Sequence, residues 1–248
     1  MTKIKVEDVL SGKKYHIDKK LGEGAFGAVY RVCSNDVKNC EYVLKKQLVK
    51  DIKHIENEEK MHKMFSKHKL SPSFYDSITI KEGKKNYAYC LMERVDGVVE
   101  QLITPHTTEK QLLSIATALF ELIDKMCKYK LIHGDLHSGN IGYIVDTNKQ
   151  RLHMKLIDFG WSSRGKCNPQ LELLQFLRTL HMTTYKPPKE LSRIEKKYAK
   201  ESFNKNIEFL EQIIYKIYTT IYDTNLKNSR RDWESKYNKM MDDYADSF

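Results

Sequence analysis

His133-Gly134-Asp135-Leu136-His137-Ser138-Gly139-Asn140 is the stretch of this 248-residue chain that decides its fold. The apolar pair Leu131-Ile132 precedes it, which predicts a short strand that ends in a site and delivers Asp135 there. Asn140 follows Asp135 five residues later, at the end of the same polar run. An aspartate at a strand end is by itself more often a turn residue, so the meaning of this stretch depends on the motifs that accompany it.

Three companion features stand in a fixed order along the chain. A glycine-rich segment comes first, Gly22-Glu23-Gly24-Ala25-Phe26-Gly27-Ala28-Val29, and its glycines lack the Cβ atoms that would keep a backbone away from phosphates. Lys45 ends a predicted strand, and Asp158-Phe159-Gly160 follows the apolar Leu156-Ile157. Together with His133–Asn140, these features are the parts needed for phosphoryl transfer from ATP.

In this order the motifs resemble those of the eukaryotic-like protein kinase superfamily, over about residues 10–225. The resemblance implies an α+β, two-lobed protein-kinase-like fold, with a β-rich N-lobe that has one main helix and a mostly helical C-lobe. We expect a single domain over residues 1–248, with the N-lobe at about 10–93, the hinge at about 93–97 and the C-lobe at about 98–248.

The hydrophobic pattern predicts elements that fit this fold. Strands are expected within 12–49, a helix over 51–67, and a hairpin formed by 77–80 and 87–92 around Glu82-Gly83-Lys84. Thr108 is expected to cap a helix that reaches Tyr129, and two short strands are expected at 141–145 and 152–157. The remainder is expected to be helical, with one face formed by Leu173, Leu174, Leu177 and Leu180 and another by Phe209, Ile213, Ile217 and Ile221.

The resemblance also implies roles for single residues. Asp135 would accept the proton of the substrate hydroxyl, and Lys45 would orient the α- and β-phosphates while a carboxylate of the neighbouring helix holds it. Three carboxylates are candidates for that partner, Glu56, Glu58 and Glu59. Glu58 is expected because it lies on the helical face shared by Ile55, Met61 and Phe65, and Glu59 is the next candidate.

The implied cofactors are ATP and Mg²⁺, with Asn140 and Asp158 as the metal ligands. The residues that the resemblance places around the nucleotide come from the glycine-rich segment, the following strands and the hinge: Leu21, Gly22, Gly24, Gly27, Val29, Val43, Lys45, Met92, Glu93 and Val95. His133 and Phe159 are expected to be structural.

The sequence departs from regulated kinases at several positions. Gly134 stands where they usually have arginine, and His137 where serine/threonine kinases usually have lysine. No clean Ala-Pro-Glu follows Gly160, so the activation segment is expected to shrink to about 161–169. In these respects the chain is similar to RIO-type kinases, the small kinase of the tRNA-threonylcarbamoylation complex and compact kinases of large DNA viruses.

The predicted function is an ATP- and Mg-dependent protein kinase, serine/threonine directed, that acts on a protein substrate of unknown identity. A small-molecule kinase of the aminoglycoside or choline kinase type, or an atypical ATPase-like kinase, is the alternative, because those enzymes share the string around Asp135. A non-catalytic nucleotide-binding scaffold is the second alternative. Against it stands the presence of Lys45, Asp135, Asn140 and Asp158 together.

The amino-acid composition indicates which binding partners and which cellular location to expect. The net charge is +10, but only eight of the 43 basic residues are arginine and the lysines are scattered, so nucleic acid is possible but not favoured. No apolar run approaches about 18 residues, and 1–10 lacks the apolar stretch of a signal peptide, so no membrane association is expected. Five cysteines without metal-ligand spacing predict reduced thiols and a cytoplasmic protein, in the host cytoplasm or the virion if it is viral: Cys33, Cys40, Cys90, Cys127 and Cys167.

Overall fold

The computed structural model of the chain describes residues 15–24, 27–34, 40–146 and 151–222. It confirms the expected α+β class, with a β-rich N-terminal part followed by a mostly helical part. The chain divides into two compact units. The first unit comprises 1–96 together with 155–164, and the second comprises 97–154 together with 165–248. Residues 155–164, which carry Asp158, are therefore part of the first unit.

A five-stranded antiparallel sheet forms most of the first unit. Its strands are β1 (Tyr15–Gly24), β2 (Gly27–Ser34), β3 (Tyr42–Leu48), β4 (Phe74–Glu82) and β5 (Lys85–Glu93). They lie in the order β1-β2-β3-β5-β4. Alternating aromatic and β-branched residues give the sheet one buried face, which is formed by Tyr15, Val32, Leu44, Tyr89 and Leu91.

One helix, α1 (Ile52–Lys67), connects β3 to β4 and contacts β4. The Asp51 carboxylate caps it by accepting a hydrogen bond from the Lys53 backbone N–H at 2.9 Å. Its buried residues are Met61, His62 and Phe65.

The second unit begins with β6 (Gly97–Val98) and the short helix α2 (Val99–Leu102). Thr108 caps α3 (Glu109–Lys128) as expected, because its hydroxyl accepts from the Gln111 N–H while the Gln111 side chain accepts from the Thr108 N–H. The later elements along the chain are β7 (Leu131–Ile132), a 3₁₀ turn (Ser138–Asn140), β8 (Ile141–Asp146), β9 (Arg151–Leu156), β10 (Ser163–Arg164), α4 (Pro169–Met182) and α5 (Arg193–Tyr222). Of these, β10 and the last two residues of β9 fall in the first unit. Part of the predicted turn after Asp146, at 147–148, lies outside the described residues.

The predicted faces of the last two helices need correction. Helix α4 buries Leu173 and Leu180 as expected, but Phe176 replaces Leu174 and Leu177 on that face. Helix α5 buries Phe203, Ile207, Leu210, Ile214 and Tyr218, whereas Phe209, Ile213 and Ile217 are only half-buried. Two apolar stripes run side by side on α5, and packing against α3 and α4 selects the stripe one residue later than predicted.

The prediction of five reduced cysteines is also wrong. Cys33 pairs with Cys40, and Cys127 pairs with Cys167 across 40 positions of sequence, while Cys90 keeps a free thiol. The cysteine argument for a cytoplasmic location is thereby lost, because disulfides persist mainly in oxidising compartments. Among the helices of the described ranges, none is long and apolar enough to cross a membrane.

Candidate active site

Lys45 and Glu58 form the central ion pair of the first unit. Their Nζ and Oε1 atoms are 2.6 Å apart, and both side chains are more than four-fifths shielded from solvent. Strand β3 delivers Lys45, and α1 delivers Glu58 from the face predicted by helical phase. Glu58 is held from a second side, because the Gln47 Nε2 donates to its other carboxylate oxygen at 2.8 Å. The lysine is therefore paired with a carboxylate that is itself fixed.

Asp158 completes a cluster of charges around the lysine. Its Oδ1 atom lies 3.4 Å from the Lys45 Nζ, and its side chain is 37% exposed. Burial acts to lower the pKa of Lys45, but the negative charges of Glu58 and Asp158 outweigh it and the pKa is raised. Lys45 is thus a permanent cation at neutral pH.

The two other carboxylates considered as partners of Lys45 point elsewhere. Glu59 forms an ion pair with Lys63, one turn further along α1. Glu56 is exposed. The structure therefore brings only Glu58, of the three candidates, to Lys45.

Phe159 fixes the backbone next to Asp158 by packing against α1. Its ring stacks on His62 with a centroid distance of 4.9 Å and lies equally close to Phe65. Burial lowers the pKa of His62 to about 4, so the ring is neutral and can pack on an aromatic face. Nε2 of His62 lies 3.0 Å from the Pro72 carbonyl oxygen, to which it donates. His62 was not among the residues singled out in the sequence, where it is one histidine among nine.

The glycine-rich segment joins β1 to β2. Gly24 faces Gly27 in the register of this pair, while 25–26 lie outside the described residues. Gly27 has φ +154°, and a Cβ atom there would lie 2.0 Å from the Lys46 carbonyl oxygen, so only glycine fits. Gly22 has no atom within 4 Å of the corresponding position, which leaves its backbone open to an approaching ligand.

The other expected nucleotide contacts all lie in the first unit, on strands β1, β2, β3 and β5 and just after β5. Val29 is half-buried on β2, and Val43 is buried on β3 opposite Met92. Leu21 is exposed on β1. Glu93 ends β5, and its carboxylate accepts hydrogen bonds from the Ser73 backbone N–H at 2.8 Å and hydroxyl at 3.0 Å. Val95 follows β5 in the connection to the second unit.

Asp135 and Asn140 meet in the second unit. The Asn140 side-chain N–H₂ donates to the Asp135 carbonyl oxygen at 3.0 Å and to its Oδ2 atom at 3.1 Å. This orientation turns the amide oxygen of Asn140, rather than its nitrogen, away from Asp135. His137 caps the following turn, since its Nδ1 accepts from the Gly139 N–H, and its Nε2 lies 3.8 Å from Asp135 Oδ2. The Asp135 side chain remains 44% exposed and can be reached by a substrate.

These residues are suited to a divalent cation only in part. Within the described ranges, no group of three or more His, Cys, Asp or Glu side chains could hold a metal ion. The Asn140 amide oxygen and the Asp158 carboxylate are nevertheless hard oxygen donors of the kind Mg²⁺ takes. Mg²⁺ usually keeps several waters and binds through one or two protein groups plus substrate phosphates, so each of these two groups is by itself a donor of a suitable kind.

Helix α4 supplies two residues that the sequence pattern did not reveal. The Glu172 carboxylate, 5% exposed, accepts from the His133 backbone N–H at 3.3 Å. Its other oxygen has no hydrogen-bond partner in the part of the chain that the structure describes. Burial raises the pKa of Glu172 to about 7, against the opposing effect of the hydrogen bond from His133. Gln175, one turn later, contacts the backbone on both sides of Asp135.

Glu172 should make the stability of the protein depend on pH. In the unfolded chain this carboxyl ionises near pH 4.5, whereas in the folded protein it keeps its proton to about pH 7. Between these values the unfolded state binds fewer protons, so the free energy of unfolding falls as pH rises, by roughly 3 kcal/mol for this group. Glu172→Gln keeps the acceptor for His133 but cannot ionise.

We therefore expect Glu172→Gln to gain stability relative to the wild type between pH 5 and pH 8. Urea denaturation at a series of pH values measures the difference. Glu190→Gln, at an exposed position, is the matched control and should show no such trend. A constant difference between Glu172→Gln and the wild type across this range would contradict the raised pKa.

The chain is similar in sequence to several known proteins. The family model described as protein kinase domain matches residues 15–214. Calcium-dependent protein kinase 14 of Arabidopsis thaliana is 26% identical over 160 residues, which cover 60% of this chain and 29% of that protein. The probable serine/threonine-protein kinase mps1 of Dictyostelium discoideum is 27% identical over 158 residues, 61% of this chain and 15% of that protein. Human serine/threonine-protein kinase VRK2 is 22% identical over 179 residues, which cover 64% of this chain and 34% of that protein. The chain thus spans about a third or less of the length of these relatives.

Proposed function

Because the chain belongs to the protein kinase family, we propose that it is an ATP- and Mg-dependent serine/threonine protein kinase. The γ-phosphate of ATP would be transferred to a hydroxyl of a protein whose identity is unknown. The observation that carries this proposal is the largely solvent-shielded Lys45–Glu58 ion pair with Asp158 beside it. Protein kinases need the pairing of these groups to bind the phosphates productively.

The cluster around Lys45 gives a physical reason for this role. A lysine side chain is flexible, and its charge helps to orient a phosphate only if its position is fixed. Glu58 fixes it, and Gln47 fixes Glu58. We propose that Lys45 would contact the α- and β-phosphates of bound Mg·ATP and that Asp158 and Asn140 would each supply an oxygen ligand to the cation, whose charge would help to neutralise the phosphates.

Asp135 would act on the acceptor. Its carboxylate accepts the proton of the substrate hydroxyl as the hydroxyl oxygen bonds to the γ-phosphorus. The bond from that phosphorus to the β,γ-bridging oxygen breaks, and ADP leaves. The hydrogen bonds from Asn140 to Asp135 keep the carboxylate oriented before the reaction.

We also propose that the chain is a compact, atypical kinase of the RIO-type, tRNA-threonylcarbamoylation-complex or large-DNA-virus kind. Two features support this. Gly134 provides no cation for a phosphorylated loop, and α4 begins at Pro169, nine residues after Gly160. A small-molecule kinase of the aminoglycoside or choline kinase type is the second candidate, favoured only by the string around Asp135. The names of the relatives, which are all protein kinases, favour a protein acceptor.

Thermal denaturation with and without Mg·ATP tests the proposal. A ligand that binds only the folded state stabilises it by about 2.7 kcal/mol at a concentration 100 times its Kd, so the melting temperature should rise by several degrees. Asp158→Asn should lose most of the Mg²⁺-dependent part of the shift. Asp124→Asn, at an exposed aspartate of α3, should retain it.

Transfer of the labelled γ-phosphate to a generic basic protein, followed by phosphoamino-acid analysis, then identifies the acceptor. Phosphoserine or phosphothreonine is the expected product, and transfer to sugars or amines instead would support the second candidate. No thermal shift at millimolar Mg·ATP would refute the kinase proposal.

A further inference from the structure

We propose that Gln175 is a positioning residue for the catalytic carboxylate, an inference that rests on the proposed function. The Gln175 side-chain amide lies against the two peptide units that flank Asp135. Its Oε1 accepts from the Leu136 backbone N–H at 2.9 Å, and its Nε2 donates to the Gly134 carbonyl oxygen at 2.9 Å. A single side chain thus holds the backbone immediately before and after the residue that meets the substrate.

The orientation of this amide is determined by its partners. A backbone N–H can only donate and a carbonyl oxygen can only accept, so the amide of Gln175 fits in one way only. Among neutral side chains, the amides of glutamine and asparagine present an acceptor and a donor side by side. Gln175 therefore contacts the loop as a neighbouring strand would, with two hydrogen bonds of opposite direction.

The loop at 133–140 needs this support because the residue directly before Asp135 is a glycine, whose backbone can adopt many conformations. Gly134 has φ +79°, a conformation that glycine reaches easily and also leaves easily. Within the loop, Asn140 donates to the Asp135 carbonyl oxygen at 3.0 Å, but the contact of the Asp135 N–H with His133 Nδ1 is long, at 3.4 Å. The two Gln175 hydrogen bonds hold the Gly134 carbonyl oxygen and the Leu136 N–H, one on either side of Asp135.

Helix α4 is a rigid base for this contact. Asn168 caps its first turn by accepting from the Gln170 N–H at 3.0 Å, and Leu173, Phe176 and Leu180 are buried almost completely. Glu172 lies one turn before Gln175 and accepts from the His133 N–H. The backbone of 133–136 is therefore connected at three points to one helix, and Gln175 provides the two points nearest to Asp135.

Loss of the Gln175 amide should impair chemistry more than nucleotide binding. Misplacement of a reacting group by about 1 Å can reduce a rate by about 100-fold. We expect Gln175→Leu, which removes the amide but keeps a branched side chain of comparable volume, to lower kcat by about 10- to 100-fold while the KM for ATP stays within about twofold. Hydrogen exchange of the Leu136 amide should become faster in the same variant. Gln170→Leu, in the first turn of α4, is the control for both measurements.

Gln175→Glu distinguishes positioning from packing. At neutral pH its carboxylate can accept from Leu136 but repels the Gly134 oxygen. A protonated carboxyl has the shape of the amide and regains a donor. We therefore expect kcat relative to the wild type, and protection of the Leu136 amide, to recover as the pH is lowered, a response that a merely structural role would not give.

The outcomes separate this inference from the proposed function. If the wild type transfers no phosphate, the kinase proposal fails, and exchange at Leu136 in Gln175→Leu and in Gln175→Glu still decides whether the amide holds the loop. Unchanged exchange at Leu136, or equal effects on kcat and on the KM for ATP, would overturn the role of Gln175. Should Gln175→Leu fail to fold, the pH series on Gln175→Glu decides the question with the same readouts.

Discussion

Replacing Asp135 by alanine should lower the rate of phosphoryl transfer by about 10²- to 10⁴-fold, the usual contribution of a positioned acid–base group. This corresponds to about 3 to 5 kcal/mol of activation free energy at 1.36 kcal/mol per tenfold change. Affinity for Mg·ATP should change little, because in our proposal the nucleotide is bound by Lys45, Asp158 and Asn140. The side chain is partly exposed, so its removal leaves no large cavity.

Single-turnover phosphorylation measures the chemical step, and nucleotide titration by thermal shift measures binding. Asp124→Ala removes an exposed aspartate of the same unit and is the matched control for a lost surface carboxylate. Wild-type turnover in Asp135→Ala would remove Asp135 from the mechanism. A parallel loss of nucleotide affinity would instead place this carboxylate among the metal ligands.

The family and the fold class could be predicted from sequence because they depend on local chemistry. Gly27 can be only glycine where its backbone meets the Lys46 carbonyl oxygen, and such a requirement is visible in one residue. The partner of Lys45 could be predicted from the phase of one helix. Helix α1 has few apolar residues, so Ile55, Met61 and Phe65 define a single face, and the structure brings Glu58 from that face to Lys45.

The phase of a helix did not suffice to predict its buried face where apolar residues cover a broad part of its surface. On α5, two neighbouring stripes both satisfy helical periodicity, and only the position of the other helices distinguishes Leu210, Ile214 and Tyr218 from Phe209, Ile213 and Ile217. The burial of His62 could not be predicted from the sequence either. A histidine is polar on average, and only burial against Phe159 and Phe74 makes it part of a packed aromatic group.

The supports of the catalytic loop were unpredictable for a different reason. Glu172 and Gln175 lie about 40 positions from the residues they bind, on a helix whose polar residues look like an ordinary solvated face. Glutamate and glutamine are common on exposed helical surfaces. Only the tertiary structure shows that one end of α4 faces 133–136.

The cysteines lead to the second large effect that we expect. Opening the Cys127–Cys167 disulfide should lower the free energy of unfolding by about 4 kcal/mol, from the chain-entropy relation for a loop of about 40 residues. Opening the Cys33–Cys40 disulfide should cost less, about 2.5 kcal/mol, because it closes a loop of only about eight residues. The difference arises in the unfolded chain, which gains more freedom when the longer loop is released.

Urea denaturation with and without dithiothreitol measures both effects in three proteins: the wild type, Cys127→Ser/Cys167→Ser, and Cys33→Ser/Cys40→Ser. The reductant should destabilise the wild type most, because both of its disulfides open. Of the two double variants, Cys127→Ser/Cys167→Ser should be destabilised less, because it retains only the disulfide that closes the short loop. Cys90→Ser removes the one cysteine of the described residues that has a free thiol, so the reductant should affect this variant as it affects the wild type. Equal effects of the reductant on the wild type and on Cys127→Ser/Cys167→Ser would show that the longer loop is not closed in solution. The connection between the end of α3 and the residues before α4 would then depend on packing alone.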